Sequence, residues 1–200
     1  MKLNLNKLRN TLRTTLIDIW EYVIPIWKIS GLFKRIKSKQ DLENFIQERS
    51  AHVAQTTLYG YLKTRIGVKY IAMMEDEVFL KSINIAKWNI YVVALADCAF
   101  YVFSYLISEK NLKENNCKEV FLNILENEKK NGLNDEIFDR GKKNFLERIN
   151  KVNFLNYHLD DPFKESGQAL YFWSPIADEL KSLDKKIVLN SIHLKWGLMK

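Results

Sequence analysis

The stretch from residue 88 to residue 108 limits the possible folds more than any other feature of the sequence. Its 21 residues carry one formal charge, Asp97, and a helix of this length can span a bilayer. Nine Ile, Leu, Val and Phe side chains favour insertion by roughly 3 to 5 kcal/mol, whereas a central Asp opposes it by about 2.5 to 3.5 kcal/mol. Because insertion gains almost nothing, the stretch is predicted to be the central helix of a globular core.

Residues that form turns are scarce in the rest of the chain. Only seven Gly and three Pro occur among 200 residues, and apolar residues recur at spacings of three and four. This pattern predicts an all-α protein with one domain, a bundle of six or seven helices over residues 38–200. A basic helical arm, residues 1–37, is predicted to precede the bundle.

Capping residues and glycines predict where the helices begin and end. Ser38 followed by Asp41 is typical of a helix start, and Gly67 is typical of a helix end. Ser174 before Pro175 predicts the start of the last helix, because serine caps a helix and proline fits its first turn. The predicted helices span residues 38–66, 75–108 with a break near Asn84 or Asn89, 113–130, 134–152 and 174 onward. The last helix carries an apolar stripe made of Ile176, Leu180, Leu183, Ile187, Leu194 and Leu198.

All of the excess positive charge lies in the N-terminal fifth of the chain. Residues 1–39 hold nine Lys and Arg against two acids, a net charge of +7, and the remaining residues hold 22 of each sign. Apolar residues at positions 5, 8, 12, 16, 19 and 23 form one side of an amphipathic helix, which Pro25 interrupts. The candidate residues for contact with a membrane or a partner are Trp20, Trp27, Lys28, Lys34, Arg35 and Lys37.

Three interpretations of this arm remain open. Aromatic rings interleaved with cations are typical of a helix in the interface of an anionic membrane, or of one that binds a membrane-associated protein complex. Alternatively, the apolar stripe completes the bundle and the basic face is solvated. Nucleic acid is the least favoured partner, because no nucleic-acid-binding motif accompanies the charges and the rest of the chain is neutral.

Polar residues on otherwise apolar helices suggest a second kind of site. Glu48 and His52 are one helical turn apart, and Arg49 and Tyr59 lie on the same predicted helix. Asp97 is predicted to be buried and therefore to need a partner, for which Arg49, His52, Lys63 and Arg65 are candidates. The candidate polar pocket consists of Glu48, Arg49, His52, Tyr59 and Asp97. No Glu-x-x-His motif occurs, so neither a metal nor another cofactor is predicted.

The segment from His52 to Arg65, HVAQTTLYGYLKTR, is the centre of a family resemblance. Together with EDE at 75–77, SINIAKW at 82–88 and PIADELK at 175–181, it resembles a small bacterial family of all-helical proteins of unassigned function. The resemblance covers most of residues 40–196 and implies a bacterial cytoplasmic setting. Members of that family are sometimes labelled esterases, but this sequence lacks the GxSxG nucleophile elbow. The resemblance supplies no catalytic residue.

Overall fold

The computed structural model describes residues 36–197, and 79% of the structure is helical, with no strand in the described part. The predicted all-α bundle is therefore confirmed. A 3₁₀ turn, Gly67–Lys69, and one helical turn, Tyr70–Met73, connect the first two long helices. The six longer helices are α1 Lys39–Ile66, α2 Glu77–Lys110, α3 Cys117–Lys130, α4 Asp135–Ile149, α5 Lys164–Trp173 and α6 Asp178–Gly197. Of the predicted arm, only Ile36 and Lys37 lie among the described residues.

Helix α1 begins and ends where its capping residues predict. The Ser38 hydroxyl accepts a hydrogen bond from the backbone N–H of Asp41 at 3.1 Å, and the Asp41 carboxylate accepts one from the N–H of Ser38 at 3.1 Å. This reciprocal capping box satisfies two N–H groups that have no partner within the helix. Gly67 ends the helix with φ 62°, a backbone conformation that residues other than glycine rarely adopt.

Helix α2 is the central helix of the bundle. Asp76 caps its start by accepting from the N–H of Phe79 at 2.8 Å, and Asn111 ends it in the left-handed conformation, φ 54°. The predicted break near Asn84 or Asn89 is absent, because the Asn89 amide bonds to the Ile85 carbonyl of the preceding turn and to Arg140 of α4. The helix is apolar and long enough to cross a membrane, but 67% of its apolar window is buried within the protein. It packs against α1, α3, α4 and α5.

Stacked phenylalanine rings join three helices in the core. Phe145 of α4 lies between Phe121 of α3 and Phe100 of α2, with ring centroids 3.8 Å and 4.9 Å away. All three side chains are at most 1% exposed. These large buried rings pack α3 and α4 against α2.

The last part of the chain differs from the sequence prediction. Ser174 does not cap α6, which begins at Asp178; instead it ends α5, and both its N–H and its hydroxyl donate to the Leu170 carbonyl, at 3.2 Å and 2.5 Å. The backbone of residues 174–177 is non-helical. The helix predicted over residues 113–130 likewise begins later, at Cys117. In α6 the buried apolar residues are Val188, Ile192 and Trp196. Four members of the predicted stripe are exposed instead, namely Leu180, Leu183, Ile187 and Leu194. Ile176 precedes the helix and packs against the core, and Leu198 lies outside the described residues.

Candidate functional site

A buried carboxylate lies at the centre of the bundle, where α2, α4 and α5 meet. Asp97 is fully buried, and its Oδ1 atom accepts a hydrogen bond from Arg148 Nη2 at 2.5 Å. Its Oδ2 atom accepts from the backbone N–H of Ser166 at 2.8 Å and from the Ser166 hydroxyl at 2.5 Å. Both carboxylate oxygens are therefore bonded within the protein.

The prediction that Asp97 pairs with a residue of the first long helix is therefore wrong. Arg49, His52, Lys63 and Arg65 all lie on α1, whereas the carboxylate faces α4 and α5. The partner side chains, Arg148 and Ser166, lie 51 and 69 positions further along the chain. No local pattern around Asp97 pointed to either of them.

Burial and pairing act in opposite directions on this ion pair. Burial raises the pKa of Asp97 above its ordinary value, and Arg148 and Ser166 oppose that rise. Burial lowers the pKa of the Arg148 guanidinium, but Asp97, Tyr157 and Glu165 together raise it, so the pKa of Arg148 lies above its ordinary value. The guanidinium also lies over the Phe100 ring, 5.1 Å from its centroid, and donates to the Tyr157 hydroxyl at 3.4 Å. Arg148 is therefore held in its charged form by surrounding groups.

The predicted α1 cluster is separated from this carboxylate. Glu48 is exposed, His52 and Tyr59 are half-buried, and Arg49 is buried against the Phe45 ring, 5.2 Å from its centroid. Burial lowers the pKa of His52, and Lys195 and Arg49 act in the same direction, so the imidazole is neutral at pH 7. The structure therefore places these four residues on one helix, but it brings none of them into a hydrogen bond with Asp97.

Arg49 instead lines a small cavity between α1, α2 and α6. The cavity has a volume of about 20 Å³, and Cys98, Phe163 and Trp196 also line it. This is space for about one water molecule. Burial raises the pKa of the Cys98 thiol to about 12, so this cysteine is not a nucleophile at neutral pH.

A serine, a histidine and a glutamate lie close together near the C-terminal end of α2. The sequence analysis did not connect these residues. His158 is buried, and its Nδ1 atom is 2.9 Å from the Ser104 hydroxyl, which also accepts from the His158 backbone N–H at 3.1 Å. The Nε2 atom is 3.7 Å from a carboxylate oxygen of Glu109. Ser104 is fully buried, so a substrate has no access to its hydroxyl. The group fastens the segment before α5 to α2.

A larger concavity lies at the turn between α1 and α2. It is an open groove of about 490 Å³, lined mainly by Ala72, Met73, Val78 and Phe79. Asp76, the one acid in its wall, already caps α2. Lys69 and Ser82 are the other polar residues of its wall, and the Ser82 hydroxyl donates to the Phe79 carbonyl at 2.6 Å, so Asp76 and Ser82 both bond to the backbone at the start of α2.

The class of protein defined by these observations is a helical bundle whose central buried carboxylate, Asp97, is paired with an arginine within the protein. Within residues 36–197, no group of three or more His, Cys, Asp and Glu side chains is arranged to hold a metal ion. Comparisons of the whole chain with known protein families, curated proteins and solved structures find no match.

Proposed function

We propose that this chain is a non-enzymatic accessory protein of the bacterial cytoplasm, which attaches to an anionic membrane surface through its N-terminal arm. The observation that carries the proposal is the separation of charge along the chain. Residues 1–39 have a net charge of +7, and the rest of the chain has none. A neutral bundle with a strongly basic extension is typical of proteins recruited to a surface by that extension.

The interior of the described bundle supports an accessory role. Asp97, its most deeply buried carboxylate, is fully occupied by Arg148 and Ser166. The cavity beside Arg49 holds about one water molecule, and the Ser104 hydroxyl has no exposed surface. The groups that could carry out chemistry are thus used to hold helices together, which favours a protein that presents a surface to a partner.

The residues of the arm have the chemistry that an anionic surface attracts. Each Lys or Arg near such a surface contributes about 1 kcal/mol, so Lys28, Lys34, Arg35 and Lys37 together contribute about 4 kcal/mol. Trp20 and Trp27 add side chains that prefer the depth of the lipid headgroups. Together these contributions are sufficient for weak, reversible and salt-dependent binding.

The test is co-sedimentation of the full chain with phosphatidylcholine vesicles and with vesicles that also contain phosphatidylglycerol, at low and at physiological salt. One variant replaces four arm cations by glutamine: Lys28, Lys34, Arg35 and Lys37. A matched control replaces four exposed bundle lysines: Lys113, Lys118, Lys143 and Lys151. We expect the wild type and the control to bind only the anionic vesicles, and the arm variant to bind up to about a thousandfold more weakly, as the loss of about 4 kcal/mol implies.

Equal binding of the two variants would contradict recruitment by the arm. If the wild type binds neither kind of vesicle, a second candidate function becomes the better one, namely a ligand-binding or enzymatic bundle that uses the polar residues around His52 and Asp97. A ligand at that cluster would have to enlarge the cavity between Arg49 and Trp196, because the cavity is smaller than any metabolite.

A further inference from the structure

The sequence contains one Asn-Gly pair, Asn131–Gly132, and this pair lies at the end of helix α3. In such a pair the backbone nitrogen of the glycine can attack the side-chain amide carbon of the asparagine, because glycine has no β-carbon to hinder the approach. The Cγ–Nδ2 bond breaks, ammonia leaves with the proton of the glycine nitrogen, and a cyclic imide remains. Water then opens the imide to aspartate or isoaspartate. Asn131 is therefore the asparagine of this chain that deamidates most easily on chemical grounds.

The geometry of the helix end accounts for both residues. Gly132 has φ 98°, a left-handed conformation, and its N–H donates to the Lys129 carbonyl at 3.2 Å. The N–H of Leu133 donates to the Glu128 carbonyl at 3.0 Å. These two bonds form a Schellman motif, which favours glycine at this position. The Asn131 side chain adds a third bond, from Nδ2 to the Glu128 Oε2 atom at 3.0 Å. The residues that end the helix are thus the residues that react.

The same bonds protect the pair while the chain is folded. The Gly132 N–H must lose its proton to attack, and the Lys129 carbonyl holds it. The Asn131 amide must give up its bond to Glu128 before it can react. Ring closure also requires the backbone at Asn131 to rotate away from its present ψ of 4°. The reaction therefore requires local opening of the end of α3.

The neighbouring carboxylate determines what the product does to the fold. Glu128 is 6% exposed and joins three helices, because it also accepts from Gln47 of α1 at 2.8 Å and from the Tyr91 hydroxyl of α2 at 2.6 Å. Deamidation replaces the Asn131 amide, a hydrogen-bond donor, by a carboxylate, which only accepts. Two carboxylates would then lie side by side at this junction, and like charges repel each other.

We propose that Asn131 is a deamidation site that the folded chain protects, and that its reaction loosens the junction of α1, α2 and α3 at Glu128. A chain that opens at the end of α3 acquires a permanent change, and this change makes the next opening more frequent. The inference uses only residues of the bundle, and its outcome is independent of whether the arm binds membranes.

The test of the site compares the full chain in buffer and in urea, at pH 8 and the same temperature. Tryptic digestion releases residues 131–140, and mass spectrometry measures the fraction of acidic product over time. Asn134 in the same peptide is an internal control, because the residue after it is not glycine. We expect Asn131 to react at least about tenfold faster in urea than in buffer. Gly132→Ala should slow the reaction in urea, where its effect on folding plays no part.

The test of the consequence compares Asn131→Asp with Asn131→Ala in urea titrations. Both substitutions remove the donor to Glu128, but only the first adds a charge, so it should have the lower urea midpoint. With Glu128→Gln in the same chain, the difference between the two should become smaller. This comparison separates repulsion by Glu128 from the unfavourable effect of an acid at a helix C-terminus.

Three results would overturn the proposal. Equal rates in buffer and in urea would show that the helix end does not protect Asn131, and a faster reaction at Asn134 would show that the site is elsewhere. Equal urea midpoints of Asn131→Asp and Asn131→Ala would show that the product does not disturb Glu128. Because the Asn131 side chain is exposed, neither substitution is expected to prevent folding.

Discussion

Replacing Arg148 by methionine tests the account of the buried charge most directly. The change keeps an apolar stem over the Phe100 ring but removes the cation that lies 2.5 Å from Asp97. Asp97 is fully buried and would retain only the two hydrogen bonds from Ser166. Loss of one partner of a buried ion pair costs about 3 to 5 kcal/mol. For a chain of this size the melting temperature should fall by about 6 to 20 °C.

The pH dependence of this variant gives a second, sharper readout. Burial already raises the pKa of Asp97, and removal of Arg148 takes away a group that opposes the rise. The unfolded chain has an Asp pKa of about 3.9, so the folded variant keeps its proton to higher pH than the unfolded one. The free energy of unfolding of Arg148→Met should therefore decrease as the pH rises above about 4. The difference from the wild type should be larger at pH 8 than at pH 5.

Urea unfolding followed by circular dichroism at these two pH values measures both effects. The double variant Asp97→Asn/Arg148→Met carries no charge at this site and should be more stable than Arg148→Met at pH 8. If the free energy of unfolding of Arg148→Met is within about 1 kcal/mol of the wild-type value, with roughly equal urea midpoints, the ion pair is not an essential contact. If the double variant is less stable than Arg148→Met at pH 8, the uncompensated Asp97 charge is not the cause of the lost stability.

Three further substitutions or reactions check other parts of the core. Gly141→Ala would press a methyl group against Val92 of α2, so it should lower the free energy of unfolding by about 1 to 3 kcal/mol in urea titrations. Adding Val92→Ala in the same chain should recover part of that loss. Phe145→Ala would remove the middle ring of the stacked phenylalanines and should cost about 3 to 5 kcal/mol in the same assay; a cost below about 1 kcal/mol would refute its central role. Cys98, whose pKa burial raises to about 12, and Cys117, whose pKa burial also raises, should react with a disulfide reagent at pH 8 only in urea, and fast reaction of the native protein would disprove their burial.

Helix ends were predictable where the capping atoms belong to neighbouring residues. Ser38, Asp41 and Gly67 make the contacts that define α1 within four positions of themselves, so the pattern contains the information. Ser174 misled for a related reason. A serine hydroxyl can serve either the helix before it or the helix after it, and here it donates backwards to the Leu170 carbonyl.

Partners across the bundle were not predictable from the sequence. One charge in an apolar stretch of 21 residues correctly indicated that Asp97 lies in the core, because such a stretch must be buried. Which residues bond to Asp97 depends on how α4 and α5 pack against α2, and the sequence near Asp97 does not predict that packing. The predicted apolar stripe of the last helix posed the opposite difficulty, since Leu183, Ile187 and Leu194 face solvent, and periodicity alone does not distinguish a row that packs within a chain from a row that is exposed.

The position of Asp97 also affects how the chain reaches its fold. In a hairpin of α1 and α2 that forms before α4 and α5 dock, the hydrogen bond between Ser50 and Ala94 can be made, but Arg148 and Ser166 are not yet in place. In that hairpin the carboxylate has neither of its partners and stays hydrated, so the middle of α2 cannot become dry until α4 and α5 arrive. An ionised group in the most apolar helix therefore penalises half-assembled states, and it makes folding of the bundle more cooperative than a purely apolar core would.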